Sequence, residues 1–338
     1  MNILLLQLKR IGDLILTTPA IAAIRAQFPQ ADISLVVAAG TRELLPAIRG
    51  VDHALVARGH VRDAAHWFTV ARRKYEYCLD FTHNDRSAFL TALSGARNRI
   101  TSGHATVQSN LRSLSYNVLV NPSLRLLHTV DYNLALLEPL GIHNAAQTVQ
   151  LDLPPTALEG AERVLARARV SGDYLLLHPG SARIEKFWEA ERWSEIITFA
   201  TKEGLPCLVT GGRSPLEQTH IAQIKAASGE SFVDLSGQVD LLTLAALIKK
   251  ARLVTTVDSA PMHLAAAMGT PQVVLFGPTN PLHWRPRFSP AVILHAGKPA
   301  PLTEFLPDQK RVATSLISTE QVIDAMNSLL AAPRVASV

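Results

Sequence analysis

Four short stretches of this sequence place a charged side chain among small or glycine residues directly after a run of strand formers. In "TVDSAPMHLAAAMG", Asp258 ends such a run, Ser259 and Ala260 are small enough for close backbone approach, and Pro261 fits the first turn of a helix that ends at Gly269. The free amides and dipole at such a helix start form a ready anion site, and His263 near the same end can donate to a phosphate. A capped, close-packed helix with a satisfied histidine is the other reading of the same residues.

The remaining three stretches have the same grammar. "LHPGSARIEKFW" offers backbone amides at Gly180 and Ser181, the compact charge of Lys186 and a packing partner in Trp188, so it can hold phosphate oxygens; it lacks the Walker spacing. Lys186 reads equally as a surface lysine in a loop. "VTGGRSPLEQ" ends a strand at Gly211 and Gly212 and places Glu217 on the helix behind, where a carboxylate either accepts from ribose hydroxyls or answers the helix dipole. In "KRIGDLILTTP", Gly12 permits a tight turn and Asp13 sits where a helix begins, where it can cap that helix.

Such residues act together only if they sit at the carboxyl ends of parallel strands, and the rest of the chain reads that way. Apolar runs ("NILLLQL", "DISLVVAAG", "YEYCLDFT") alternate with helix-period segments, including one read as continuous over "DLILTTPAIAAIRAQFP". Pro154 and Pro155 interrupt this alternation, which restarts at "DYLLLHPGS" after a helical segment. The pattern predicts an α/β chain of two doubly wound parallel-sheet domains facing a central cleft, with boundaries at 1–155 and 156–338. The last helical segment, "STEQVIDAMNSLLAAP", can pack on either domain. A length of 338 residues and an apolar content of 48% allow each domain its own core.

Composition narrows the class. The short apolar N-terminus has no basic residues ahead of it and no small-residue cleavage site, and no window reaches the length of a membrane span, so a soluble cytoplasmic protein is expected. Cys78 and Cys207 belong to no metal-ligand spacing and read as buried small hydrophobes. Between Arg58 and Arg125 there are ten Lys and Arg against four Asp and Glu, which concentrates the net charge of +5 in the first half. That face suits an anionic membrane or a polyanionic substrate as well as ordinary solvated helices. An aromatic content of 6% and the lack of a recognisable motif argue against nucleic acid.

Taken in order, "RIGDLILTTPAI", "LDFTHNDRSAFLTALSGARNRI", "LLLHPGSARIEKFWEAERWSEI" and "TVDSAPMHLAAAMGTPQVVLFGPTNP" resemble glycosyltransferase family 9, the ADP-heptose:lipopolysaccharide heptosyltransferases, over nearly the whole chain. The resemblance implies a GT-B fold of two Rossmann-like domains, the first binding acceptor and the second binding nucleotide sugar. Carried over by position, Asp13 matches the proposed catalytic base. Ser181 and Lys186 match contacts to the donor phosphates and sugar, Glu217 a ribose contact, and Asp258, Ser259, Ala260 and His263 the loop around the diphosphate. Arg86 suits the phosphates and acidic sugars of a lipopolysaccharide core acceptor.

This chain has Ser259 and Ala260 where the family commonly has Thr-Gly, and Ala182 where a second hydroxyl residue is frequent. The implied reaction inverts the anomeric carbon: Asp13 takes a proton from the attacking hydroxyl while preorganised cations and amides stabilise the departing diphosphate. No DxD-like acidic pair sits at a metal position, so neither a metal nor a cofactor is expected. The implied partners are ADP-heptose and an anionic core, with peripheral contact at the cytoplasmic face of the inner membrane and no nucleic acid. A transferase or epimerase for another nucleotide sugar, or a non-catalytic nucleotide-sugar binding module, fits the same residues.

Overall fold

Short apolar runs bounded by turn residues become strands covered on both faces, as parallel sheets require. The structure, a computed structural model, describes residues 1–58, 64–107, 110–229 and 231–333. The chain divides into two compact units, Met1–Asp152 and Leu153–Val338.

The first unit holds strands β1 (Asn2–Gln7), β2 (Asp32–Ala38), β3 (His53–Ala57), β4 (Tyr77–Asp80), β5 (Asn98–Ser102) and β6 (Val118–Val120). Its helices are α1 (Ile11–Ile15), α2 (Thr18–Gln27), α3 (Ala64–Arg72), α4 (Asp85–Leu93), α5 (Gly103–Val107), α6 (Asn110–Ser113) and α7 (Thr129–Ala135). The second unit holds β7 (Leu175–His178), β8 (Cys207–Val209), β9 (Val233–Asp234), β10 (Leu253–Val257), β11 (Gln272–Phe276) and β12 (Ala291–His295). Around them lie α8 (Pro155–Arg167), α9 (Ala190–Lys202), α10 (Pro215–Ser228), α11 (Leu241–Lys250), α12 (Ala260–Met268), α13 (Pro281–Trp284) and α14 (Thr319–Leu330).

Both sheets have six strands, and every pairing is parallel. The orders are β3-β2-β1-β4-β5-β6 and β12-β11-β10-β7-β8-β9. In each, the first strand of the unit lies beside its fourth, so strand order reverses between them and the two following loops splay apart to leave a crevice. These reversal points, β1 beside β4 and β7 beside β10, receive the turns that carry Asp13, Ser181, Lys186 and Asp258, whereas Glu217 follows β8.

One expected helix is two. Pro19 has no N–H to give to Ile15, so the run starting near Asp13 stops at Leu16 and restarts with Thr18 and Pro19 in the first turn of α2. Sequence reasoning missed strands β5, β6 and β12. β6 has only three residues and β5 reads "NRITS", whereas the "AVILH" of β12 is an apolar run that could have been read as a strand. The α14 helix packs against β10, β11, β12 and α9.

The core of the second unit includes Trp188 and Trp193, both 1% exposed, with ring centres 5.3 Å apart in an edge-to-face pair. Cys78 and Cys207 are buried, and burial pushes each thiol up to about 12, so both behave as inert hydrophobes at neutral pH. Among the described residues no helix is long and apolar enough to cross a membrane.

Candidate active site

In the second unit, three loops meet at one carboxylate. Asp258, directly after β10, is 5% exposed, and its Oδ2 accepts from Lys186 Nζ at 2.6 Å and from the Thr279 hydroxyl at 2.6 Å. Lys186 Nζ also donates to the Asp258 backbone carbonyl at 2.9 Å. The lysine comes from the loop after β7 and the threonine from the loop after β11, strands that flank β10 on either side. Strand order, not sequence proximity, therefore assembles the cluster. An ammonium group has three N–H donors, and Asp258 takes two, so Lys186 is a charge held in place with one donor left over.

The adjoining helix start is open. Ser259 is the N-cap of α12, yet its side chain makes no capping bond and its hydroxyl lies 3.2 Å from that of Thr256. Ser259 and Ala260 are the half-buried residues of this turn, while Pro261, Met262 and His263 behind them are buried. Helix start, small side chains and ammonium thus gather where the second sheet reverses order, a geometry suited to a diphosphate. Gly269 ends α12 with φ of 69°, in the left-handed region that favours glycine.

Glu217 takes the first-turn position that was one of its two sequence readings, and local hydrogen bonds hold it there. It lies in the first turn of α10; its Oε1 accepts from Gly212 N at 3.1 Å and its Oε2 from the Ser214 hydroxyl at 2.9 Å. A Cβ on Gly180 would lie 2.5 Å from Oε1, and one on Gly212 would lie 2.3 Å from Oε2. These two glycines leave room for the glutamate. Ser181 is 7% exposed, and its hydroxyl accepts from Arg183 N at 3.4 Å.

His178 closes this corner. Its Nδ1 lies 3.0 Å from the Thr210 hydroxyl and its Nε2 3.9 Å from Glu217 Oε1. Burial pushes the imidazole down to about 4, against the opposing pull of Glu217. In the first unit burial likewise lowers His83 to about 4.

The unfolded chain takes up these protons near the ordinary value of ~6.5, the folded chain only near 4, so their contribution to stability is full above ~6.5 and lost as the pH falls through that window. Urea midpoints measured across it should decline. The double variant His83→Asn/His178→Gln should decline less, and an unchanged slope would show that other groups carry the acid sensitivity. Asn is chosen because His83 has φ of 63°, a region that Asn tolerates.

In the first unit, Asp13 lies half-buried in α1, and its Oδ2 accepts from Arg10 N at 3.3 Å. Its backbone carbonyl accepts from the Thr17 hydroxyl at 2.8 Å. That hydroxyl accepts in turn from Gln7 Nε2 at 2.9 Å and Asn133 Nδ2 at 3.3 Å, and Asn133 also donates to the Leu16 carbonyl at 3.1 Å. Gln7 ends β1 and is 2% exposed, so a buried amide at the strand end anchors the short helix that carries the carboxylate. The neighbouring turn is tied to the same strand, with Leu8 N donating to the Thr82 hydroxyl at 2.8 Å.

Arg86 is exposed on α4. Part of the expected cationic face has structural partners: Arg73 lies 3.3 Å from Asp32, and Arg99 donates to the carbonyls of Ser115 and Ala96. Arg62 and Asp63, counted in that face, lie outside the described residues.

Residues 64–304 match the family described as glycosyltransferase family 9 (heptosyltransferase). The chain belongs to that family. Lipopolysaccharide heptosyltransferase 3 of Escherichia coli is 29% identical over 329 residues, covering 94% of this chain and 96% of that one. The crystal structure of a family 9 glycosyl transferase from Veillonella parvula superposes with a TM-score of 0.83 at 23% identity, over 97% of each chain. The E. coli ADP-heptose lipopolysaccharide heptosyltransferase II superposes at 0.78 and 20% identity, over 98% of each chain. This glycosyltransferase therefore has the GT-B fold.

Sequence reasoning missed Thr279, the third member of the Asp258 cluster. Its signal was present: "FGPTNP" ends a strand, and hydroxyl residues at strand ends are candidates on the same grounds as Asp258. Thr17, Gln7 and Asn133 carried no comparable signal: they bear no charge, and the bond that joins Asn133 to Thr17 spans 116 residues.

Proposed function

We propose that this glycosyltransferase moves a heptose from ADP-heptose to the inner core of a lipopolysaccharide acceptor, with inversion, at the cytoplasmic face of the inner membrane. The observation that carries the reading is the held ammonium of Lys186 beside the open start of α12, on a chain similar to lipopolysaccharide heptosyltransferases. In this reading the diphosphate of the donor lies against the amides at Ser259 and Ala260. Lys186 offers its remaining N–H to a phosphate oxygen, and Asp258 and Thr279 keep that N–H aimed. His263 and Ser181 line the same loops, and Glu217 meets the ribose. Negative charge grows on the leaving ADP as the glycosidic bond breaks, and fixed dipoles and one fixed cation stabilise it without reorganising.

On the acceptor side, the Asp13 carboxylate takes the proton of the attacking hydroxyl as the new C–O bond forms. Thr17, Gln7 and Asn133 hold the backbone of α1, so the carboxylate is presented from a fixed turn. Exposed Arg86 meets a phosphate or acidic sugar of the core.

The test is incubation of the protein with ADP-heptose and lipopolysaccharide cores truncated at successive sugars. One core should gain the mass of a single heptose. Tight ADP-heptose binding with no core gaining mass would make the protein a binding module, and an altered donor sugar without transfer would make it an epimerase.

A further inference from the structure

The outer faces of α3, α4, α5 and α6 carry large apolar side chains that the transfer reaction does not use. Phe68 on α3 is 59% exposed, Phe89 on α4 60%, Val107 at the end of α5 82%, and Leu114 just after α6 76%. These helices are neighbours: α4 packs beside both α3 and α6, and α6 beside α5. Arg112 of α6 reaches Asp85 of α4 at 2.5 Å. On α3 the core-facing positions are already filled by Trp67 and Val70, so Phe68 has no place inside. Single exposed apolar residues are ordinary, but several large ones on adjoining helices mark an interaction surface.

Cations are interleaved with the aromatic rings. The guanidinium of Arg72 lies 4.7 Å from the centre of the Phe68 ring. Lys74 and Arg97, both exposed, follow α3 and α4. Of the nearby carboxylates, Asp85 is paired with Arg112, and Glu76 is exposed.

We propose that this face docks on the surface of an anionic lipid bilayer. Its two components match the two layers of such a surface: phenylalanine and leucine enter the boundary between headgroups and acyl chains, while arginine and lysine stems run along it and place their charges on lipid phosphates. A soluble polyanion would engage the arginines and leave the phenylalanines wet. A second copy of the chain would cover the phenylalanines and oppose like charges. The inference deepens the proposed function, on which it rests only for the view that the acceptor is lipid-linked.

The experiment is co-sedimentation of the full chain with phosphatidylcholine vesicles, with and without added phosphatidylglycerol. Binding should require the anionic lipid and weaken with salt. Phe68→Ser/Phe89→Ser and Arg72→Glu/Arg97→Glu should each lower partitioning by roughly tenfold, since neither apolar contact nor charge alone gives stable anchoring. The phenylalanine variant should keep its thermal midpoint and its transfer to lipid-free core oligosaccharide.

Equal partitioning onto neutral and anionic vesicles, or undiminished partitioning of both variants, would overturn the proposal. So would a dimer in light scattering that the phenylalanine variant dissociates, which would make the face a contact between copies. Vesicle binding by a protein with no transfer activity supports the docking face and counts against the proposed reaction instead.

Discussion

Replacing Asp13 with Asn is expected to lower transfer by about 10² to 10⁴-fold, the usual contribution of a positioned general base, with donor affinity and thermal midpoint close to wild type. The local geometry supports both halves of this expectation. The carboxylate contributes one 3.3 Å bond to Arg10 N, which the amide oxygen of Asn can replace. The turn itself is held by Thr17, Gln7 and Asn133, none of which contacts the Asp13 side chain. What is removed is the negative charge and, with it, the capacity to take a proton. A variant retaining more than about a tenth of wild-type turnover would make Asp13 a helix cap and no more.

Lys186→Ala is expected to lose both turnover and stability, and the two losses can be separated. Removing a preorganised donor from a developing negative charge typically costs about 10² to 10³-fold in kcat, more than it costs in donor binding, because that charge is largest in the transition state. The same substitution leaves Asp258, 5% exposed, with the Thr279 hydroxyl and no cation. A buried charge stripped of its partner costs about 3 to 5 kcal/mol. The double variant Lys186→Ala/Asp258→Asn removes that unpaired charge, so it should recover most of the thermal midpoint while turnover stays low. Turnover that returned together with stability would show that Lys186 serves only the fold.

The two substitutions differ because the two sites are built differently. Asp13 is borne on a turn that other residues hold, and the carboxylate adds little to its own placement. Lys186 and Asp258 hold each other, so chemistry and stability are joined in one ion pair 2.6 Å long.

Much of this was legible from residue types. Asp13, Glu217 and Asp258 each follow a strand-forming run, and the α10 and α12 helices announce themselves with Ser214, Pro215, Pro261 and Gly269. Other features were misread for identifiable reasons. Gly180 was read for its amide alone, yet it also leaves room for the Glu217 carboxylate. Lys186 looked like a free cation and is a tethered one. The helix through Leu16 looked continuous because its apolar spacing hides the break that Pro19 imposes.

The sequence by itself determined which segments are strands and helices over most of the chain, where charge-bearing turns fall along it, and the family to which it belongs. The first two are local and follow from periodicity, caps and turn residues within a window of a few residues, while the family shows in the resemblance of four motifs taken in order. Only the tertiary structure decided which turns meet. The order β11-β10-β7 brings Lys186, Asp258 and Thr279 to one point although 72 residues separate the first two, and the register of β1 beside β4 ties the turn at Thr82 to the strand ahead of Asp13. Strand order arises from how two units of alternating strands and helices bury their apolar faces, a property of the whole chain that no single window records.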